Sequence, residues 1–164
     1  MRLQQLIILF VGLLLNMTVW AQHSPDFAEK FMTLCQGDTN VTCVTVSPKM
    51  MEQLVKHQDE SHPNDMAQAF AKLKSARIVN GHTAHYQKAE QLLQKNKKRF
   101  KTDHEFRTEE QYGAFYTRKD RDGNTVEFIM LCAEPQQDRF TIINLTGDID
   151  EEFLCFLYNK SIKN

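Results

Sequence analysis

Four extended segments follow one another in the second half of the chain, and this succession limits the possible folds more than any other feature. The segments are rich in β-branched and aromatic residues and comprise residues 100–109, 112–119, 124–133 and 139–146. Asp122-Gly123 is typical of a tight hairpin turn, and residues 135–138 form a second, longer turn. Connections this short join antiparallel neighbours, because a parallel pair needs a crossover of about a dozen residues or more.

The third extended segment carries apolar side chains on both of its faces. Val126, Phe128 and Met130 alternate onto one face, whereas Ile129 and Leu131 alternate onto the other. A strand that is apolar on both sides is typical of the middle of a sheet. We therefore predict that residues 126–133 form a central strand.

The first half of the chain alternates between helical and extended patterns. Phe27, Phe31 and Leu34 recur at helical spacing until Gly37, and Ser47-Pro48 ends a Val-rich strand at 41–46 and begins a second helix. Further helical stretches are predicted from Asp65, along residues 86–93 and after residue 150, with a strand at 75–79. These patterns predict an α+β fold, a two-layer sandwich of a mixed, mostly antiparallel sheet with helices packed on one face. The two strand-helix-strand units favour right-handed parallel crossovers.

Residues 1–21 have the outline of a signal peptide. Arg2 precedes an apolar run at residues 6–15, and Val19 and Ala21 place small residues at the positions that a signal peptidase reads. The run is shorter than the ~20 residues of a spanning helix. We expect cleavage after Ala21, a single domain at 22–164 that is periplasmic or secreted, and no stable membrane span in it.

The charge balance argues against nucleic acid as a partner, since 20 basic residues meet 21 acidic ones. An oxidising compartment would allow the four cysteines to pair. Cys35 and Cys43 flank the turn at residues 37–40, which can bring their Cα atoms within bridging distance, so we predict a disulfide between them. We expect Cys132 and Cys155 to stay buried and reduced, although four free thiols remain the alternative.

The polar residues form no recognisable catalytic or metal-binding motif. Residues 120–124 resemble a calcium loop only superficially, and Asp122-Gly123 favours a hairpin turn. Three further groups of residues are candidates for function. Possible metal ligands are His57, His62, His82, His85 and His104. Possible catalytic carboxylates are Asp148, Asp150, Glu151 and Glu152, and a possible exposed stacking platform comprises Tyr112, Phe115, Tyr116 and Phe128. Loops, a helix start and the core account for them more simply, so we predict no metal, no cofactor and no catalytic residue.

Several segments resemble one family of small exported proteins. They are Phe31-Met32, the Val-rich strand with Ser47 and Met50 after it, the segment KLKSARIV at 72–79, the strand pair at 116–130 and Gly147-Asp148-Ile149-Asp150 before a terminal helix. In this order they resemble domain-of-unknown-function family 4252, mainly of Bacteroidota, over residues 27–159. The resemblance implies one exported domain. Many members look like lipoproteins, whereas this chain has no lipid-acceptor cysteine near the expected cut.

These observations favour a non-catalytic envelope protein that binds a partner protein or ligand. A small hydrolase that uses the acidic and histidine residues is one alternative, and it requires a carboxylate and a histidine in one apolar pocket. A component of cell-envelope signalling is the other alternative.

Overall fold

The computed structural model describes residues 24–56 and 70–162, which form one open sheet and the helices around it. The predicted signal peptide, His57, His62 and most of the helical stretch predicted from Asp65 lie outside these residues. The strands are β1 (Thr42–Val46), β2 (Leu73–Gly81), β3 (Lys101–Arg107), β4 (Tyr112–Lys119), β5 (Thr125–Glu134) and β6 (Arg139–Ile149). The helices are α1 (Phe27–Leu34), α2 (Pro48–Lys56), α3 (Ala84–Lys95) and α4 (Glu151–Ile162), with a 3-10 turn at Pro135–Gln137. None of the helices within the described residues is long and apolar enough to cross a membrane.

The sheet has the strand order β1-β2-β6-β5-β4-β3. Strands β3 to β6 form consecutive hairpins, as predicted, and β5 is an interior strand with β4 and β6 on either side. The α+β class and the mostly antiparallel sheet are therefore confirmed. The parallel crossovers are not found among the described strands, because β1 pairs with β2 and β2 with β6 in antiparallel register. A helix between two strands does not by itself fix the direction of the second strand.

Helices cover both faces of the sheet, rather than the one face that we expected. Ile129 and Leu131 of β5 pack in a cluster with Phe31 of α1 and Leu93 of α3. The opposite face of β5 contributes Phe128 to a second cluster, together with Met51 of α2 and Phe153 and Leu154 of α4. An interior strand with apolar side chains on both of its faces must be covered on both sides. The molecule therefore has three layers, with the sheet between two layers of helices.

Helix α1 is joined to the sheet through its first backbone N–H groups. The N–H of Phe27 donates to Oε1 of Glu127 at 2.7 Å, and that of Ala28 donates to Oδ1 of Asn144 at 2.8 Å. Glu127 and Asn144 are each only 1% exposed, and Arg118 donates to the second oxygen of Glu127 at 2.7 Å. These side chains satisfy N–H groups that have no partner within the helix, and the positive end of α1 faces a buried carboxylate.

Strand β6 is longer than predicted and continues through Gly147 and Asp148 to Ile149. Gly147 has φ +143°, and a Cβ atom at this position would lie 2.5 Å from the carbonyl oxygen of Lys72. Asp150 then begins α4, since its Oδ1 accepts the N–H of Phe153 at 2.9 Å. The close approach of β6 to the start of β2 explains why position 147, near the end of β6, is a glycine.

Candidate functional site

The predicted acidic residues lie beside a groove at the start of α4. Asp148, Asp150 and Glu151 line it with Asp103 and Tyr158, and its volume is about 490 Å³. Two of these carboxylates have structural partners: Asp150 caps α4 and pairs with Lys72 at 2.9 Å, and Asp103 accepts the hydroxyl of Tyr158. The N–H of Phe153 is the largest cause that lowers the pKa of Asp150. Asp150 is thus committed to starting the helix.

The predicted histidines do not meet these carboxylates. In the described part of the chain, no histidine lines the groove, and no group of three or more His, Cys, Asp or Glu residues could hold a metal ion. His104 lies on the exposed strand β3, with its ring centroid 6.2 Å from that of Phe115. Asp120 accepts the N–H groups of Asp122 and Asn124 at 2.9 Å, which is the geometry of the predicted hairpin turn.

Two histidine–aspartate pairs lie together at the beginning of α3. Nδ1 of His82 is 2.8 Å from Asp138, and Nε2 of the buried His85 is 2.9 Å from Asp38. The hydroxyl of Thr83 also donates to Asp138 and is the largest cause that lowers the pKa of this carboxyl group. These contacts hold two loops against the start of the helix, and neither pair lines the groove at α4 or the cleft described below.

All four cysteines are free thiols, so the predicted Cys35–Cys43 disulfide is not present in the structure. Cys35 is buried and Cys43 is half-buried, and both pack as small hydrophobic side chains in the same cluster beneath α1. Burial raises the pKa of both thiols. Cys132 is buried as expected, whereas Cys155 is exposed on α4.

The predicted aromatic platform is divided between the two faces of the sheet. Phe115 and Phe128 are buried in the cluster that α4 covers. Tyr116 lies on the opposite face, and Tyr112 packs against the cluster there. Alternation along β4 separates these side chains, and it brings the two tyrosines to the same side as α3.

These tyrosines form a cleft with a third tyrosine, Tyr86 of α3. The tyrosine cleft has a volume of about 370 Å³ and is lined by Tyr86, Gln87, Glu90, Glu105, Phe106, Arg107, Tyr112, Gly113, Ala114 and Tyr116. The rings of Tyr86 and Tyr112 meet edge to face, with centroids 4.9 Å apart. This packing fixes the position of both rings.

The hydroxyl groups of Tyr86 and Tyr116 are the distinctive feature of this cleft. Their residues are 8% and 6% exposed, and neither hydroxyl has a hydrogen-bond partner among the residues that the structure describes. No described side-chain nitrogen or oxygen that is fully enclosed lacks a partner, so each of these hydroxyls keeps some contact with solvent. The lining of the cleft therefore includes two tyrosines whose hydroxyls are free to donate or accept a hydrogen bond.

Two carboxylates make the cleft electrostatically negative. Burial raises the pKa of Tyr86 and of Tyr116, and the charges of Glu90 and Glu105 raise both further. The guanidinium group of Arg107 lies over the ring of Tyr112, 5.2 Å from its centroid. The tyrosine cleft thus combines open hydroxyls, an aromatic face and negative charge.

The sequence patterns contained only part of this site. The sequence predicts Tyr86 in a helix and groups Tyr112 and Tyr116 with Phe115 and Phe128 as a possible stacking platform, but it does not connect Tyr86 with the other two tyrosines. Residue spacing is the sequence feature that could have indicated the cleft. Tyr86 and Glu90 are one helical turn apart, and Tyr112 and Tyr116 share one face of β4.

Comparison with protein families identifies a relationship over most of the chain. The model of the family described as "Domain of unknown function (DUF4252)" matches residues 31–154. The chain belongs to this family. The match confirms the resemblance that the sequence patterns predicted, and it includes every residue of the tyrosine cleft.

Further comparisons add no functional information to the DUF4252 assignment. A search of the curated proteins found no match. A solved structure of a mutant of the protein Mog1 is similar at 15% sequence identity, with a TM-score of 0.30, over 65% of this chain and 64% of that chain. The match thus spans somewhat less than two thirds of the length of that protein.

Proposed function

We propose that this DUF4252 protein is an exported, non-catalytic binding domain and that the tyrosine cleft is its ligand site. One observation carries the proposal: two tyrosines that are at least nine-tenths buried, with unpartnered hydroxyls, line one cleft together with two carboxylates. Hydroxyls that keep contact with solvent can exchange water for the polar groups of a ligand. A preformed cleft with a few convergent polar groups is typical of a ligand site.

The arrangement of the other polar residues supports binding more than hydrolysis. The hydrolase alternative requires a carboxylate and a histidine in one apolar pocket. In the described residues, His82 and His85 pair with aspartates at loop ends, while Asp148 and Asp150 line a groove on another side of the sheet. We therefore assign these residues to structure rather than to turnover.

A pair of tryptophan variants on α3 tests the proposed site. Gln87 is exposed and lines the cleft, so Gln87→Trp would fill it, whereas Gln91 is exposed one helical turn further along and lies outside it. Residues 22–164 of each variant would be immobilised and used to capture molecules from the native cell envelope. We expect the native chain and Gln91→Trp to capture the same molecule and Gln87→Trp to lose it. Equal capture by all three proteins would contradict the assignment.

A substrate screen tests the absence of turnover. The purified protein would be incubated with esterase, glycosidase, peptidase and phosphatase substrates. Turnover that disappears in Asp148→Asn, Asp150→Asn or His104→Ala would overturn the non-catalytic assignment. No turnover above that of the variants is the expected result.

Export and the disulfide belong to the same proposal. We expect signal-peptide cleavage after Ala21, which N-terminal sequencing of the protein from its native host would identify.

We also propose that Cys35 and Cys43 form a disulfide in an oxidising compartment, because both thiols contribute to one cluster beneath α1. Mass mapping of the non-reduced native protein would detect the bridge, and two free thiols there would refute it.

A further inference from the structure

We infer that the tyrosine cleft binds an organic cation, with the ammonium or guanidinium group of the ligand placed between the two glutamates and the tyrosine hydroxyls. This inference rests on the proposed function and adds the chemical class of the ligand. The cation could belong to a small free amine or to a basic side chain of a partner protein, and the chemistry of recognition is the same for both.

The charges around the cleft favour a positive ligand. Glu90 projects from α3 and Glu105 from β3, so carboxylates approach the cleft from two different elements. Arg107 is the only basic residue among the lining residues, and its guanidinium group lies over the ring of Tyr112. Two negative charges against one positive charge leave the cleft negative, and an anion would be repelled from it.

The cleft offers the hydrogen-bond acceptors that an organic cation requires. An ammonium or guanidinium group carries only donors, so each of its N–H bonds needs an acceptor. The carboxylates of Glu90 and Glu105 accept hydrogen bonds, and the open hydroxyl oxygens of Tyr86 and Tyr116 accept them as well. Water can serve these groups in the absence of a ligand, but it does not neutralise the two carboxylates.

The aromatic rings supply a third contribution. The contact of Arg107 with Tyr112 shows that a cation already lies on an aromatic face within this cleft. Tyr86, which is mostly buried, packs edge to face against Tyr112 and keeps the ring of Tyr112 in place. Cations near tyrosine rings are stabilised by the ring quadrupole, and rigid aromatic cages recognise ammonium groups in this way.

Titration with matched probes tests the ligand class. The native protein would be titrated at neutral pH with butylamine, with the Nα-acetyl methylamide of lysine and with the neutral norleucine analogue of the latter. Binding would be followed through the NMR shifts of the tyrosine ring protons. We expect saturable shifts with both cations and none with the norleucine analogue. Butylamine binding as tightly as the lysine derivative would indicate a free amine, and tighter binding of the lysine derivative would indicate a protein side chain.

The carboxylates provide the decisive variants. We expect Glu90→Gln with Glu105→Gln to weaken cation binding at least about tenfold, because both charges are removed while the side-chain shape is kept. Glu109→Gln removes an exposed carboxylate that does not line the cleft, and it should bind cations as the native protein does. Tyr116→Phe should weaken binding several-fold without loss of the fold. Unchanged binding in the double variant, or equal binding of the neutral probe, would overturn the inference.

Failure of this inference is distinguishable from failure of the proposed function. If no cation binds but Gln87→Trp still abolishes capture from the envelope, the cleft is a ligand site for another chemical class. If cations bind in the probe titration but Gln87→Trp captures as the native chain does, the envelope ligand binds elsewhere and the proposed function is wrong.

Discussion

Nε2 of His85 lies 2.9 Å from Oδ2 of Asp38, and this contact fastens the loop after α1 to the first turn of α3. The imidazole is almost fully buried, whereas the carboxylate is partly exposed. The hydrogen bond from His85 is the largest cause that lowers the pKa of Asp38, and the N–H of Asn40 contributes as well. The charged form of Asp38 therefore stabilises the folded protein.

We expect Asp38→Asn to destabilise the protein in a pH-dependent way. Because the pKa of Asp38 is lower in the folded state, its contribution is fully present above the unfolded value of about 3.9 and is lost as the pH falls through the folded value. Urea unfolding of the native protein and the variant should differ at pH 6 and converge below about pH 3. Asp122→Asn, in an exposed turn, is the control and should leave the pH profile unchanged. A difference that persists at pH 2 would show that shape rather than charge matters at Asp38.

Glu127→Gln should cost about 2–4 kcal/mol in the free energy of unfolding. Both oxygens of Glu127 accept hydrogen bonds, from Phe27 and Asn144 on one side and from Arg118 on the other. The amide of glutamine would direct N–H groups at one of these donors in either orientation. Glu134→Gln is the matched control, because Glu134 pairs with the exposed Arg139, and it should cost less than about 1 kcal/mol. Chemical denaturation measures both, and equal effects would contradict a special role for Glu127.

Gly147→Ala should destabilise the protein by more than about 2 kcal/mol. The backbone of Gly147 has φ +143°, and the added methyl group would meet the carbonyl oxygen of Lys72 at 2.5 Å. Gly37 also has a positive φ, but open space surrounds it, so Gly37→Ala should cost only about 1 kcal/mol. Thermal unfolding of both variants measures the two losses of stability. Gly147→Ala combines steric overlap with backbone strain, whereas Gly37→Ala has backbone strain alone. A smaller effect at residue 147 would show that β2 and β6 separate easily there.

The thiols should differ in their rate of alkylation. Burial raises the pKa of Cys132 to about 11, and its Sγ donates to Gln111 at 3.4 Å. Cys155 is exposed on α4. Since the thiolate is the reactive form, iodoacetamide at pH 8 should modify Cys155 first and leave Cys132 intact until the protein unfolds. Time-resolved mass spectrometry measures the order, and rapid modification of Cys132 would indicate local opening of β5.

The strand pattern of the second half was predictable because residue alternation and short turns are local features. The hairpins at residues 120–124 and 135–138 were found where the sequence placed them. The direction of β1 relative to β2 was not predictable in this way, because the residues between them determine no direction. The apolar residues of β5 on both faces implied two covering layers, and this implication conflicted with our expectation of helices on one face.

The tyrosine cleft was less accessible to sequence reasoning, since it depends on packing between distant elements. Tyr86 and Glu90 share a helix face, and Glu105 and Arg107 share a strand face, but nothing local shows that these faces meet. Glu127 was also missed, because its partner N–H belongs to Phe27, 100 residues earlier in the chain. A buried carboxylate within a hydrophobic strand was the one visible sign that such a partner must exist.

The docking of α1 onto Glu127 and Asn144 also has a consequence for biogenesis. A ribosome makes α1 before β5 and β6, and the residues that receive its N–H groups follow 100 and 116 positions later. Until β5 and β6 have emerged, the helix has no surface on which to bury Phe27 and Phe31, and an isolated helix of eight residues is unstable in water. Helix α1 therefore gains its buried hydrogen bonds only after most of the chain has been made. Native structure then forms late, when the two ends of the chain meet.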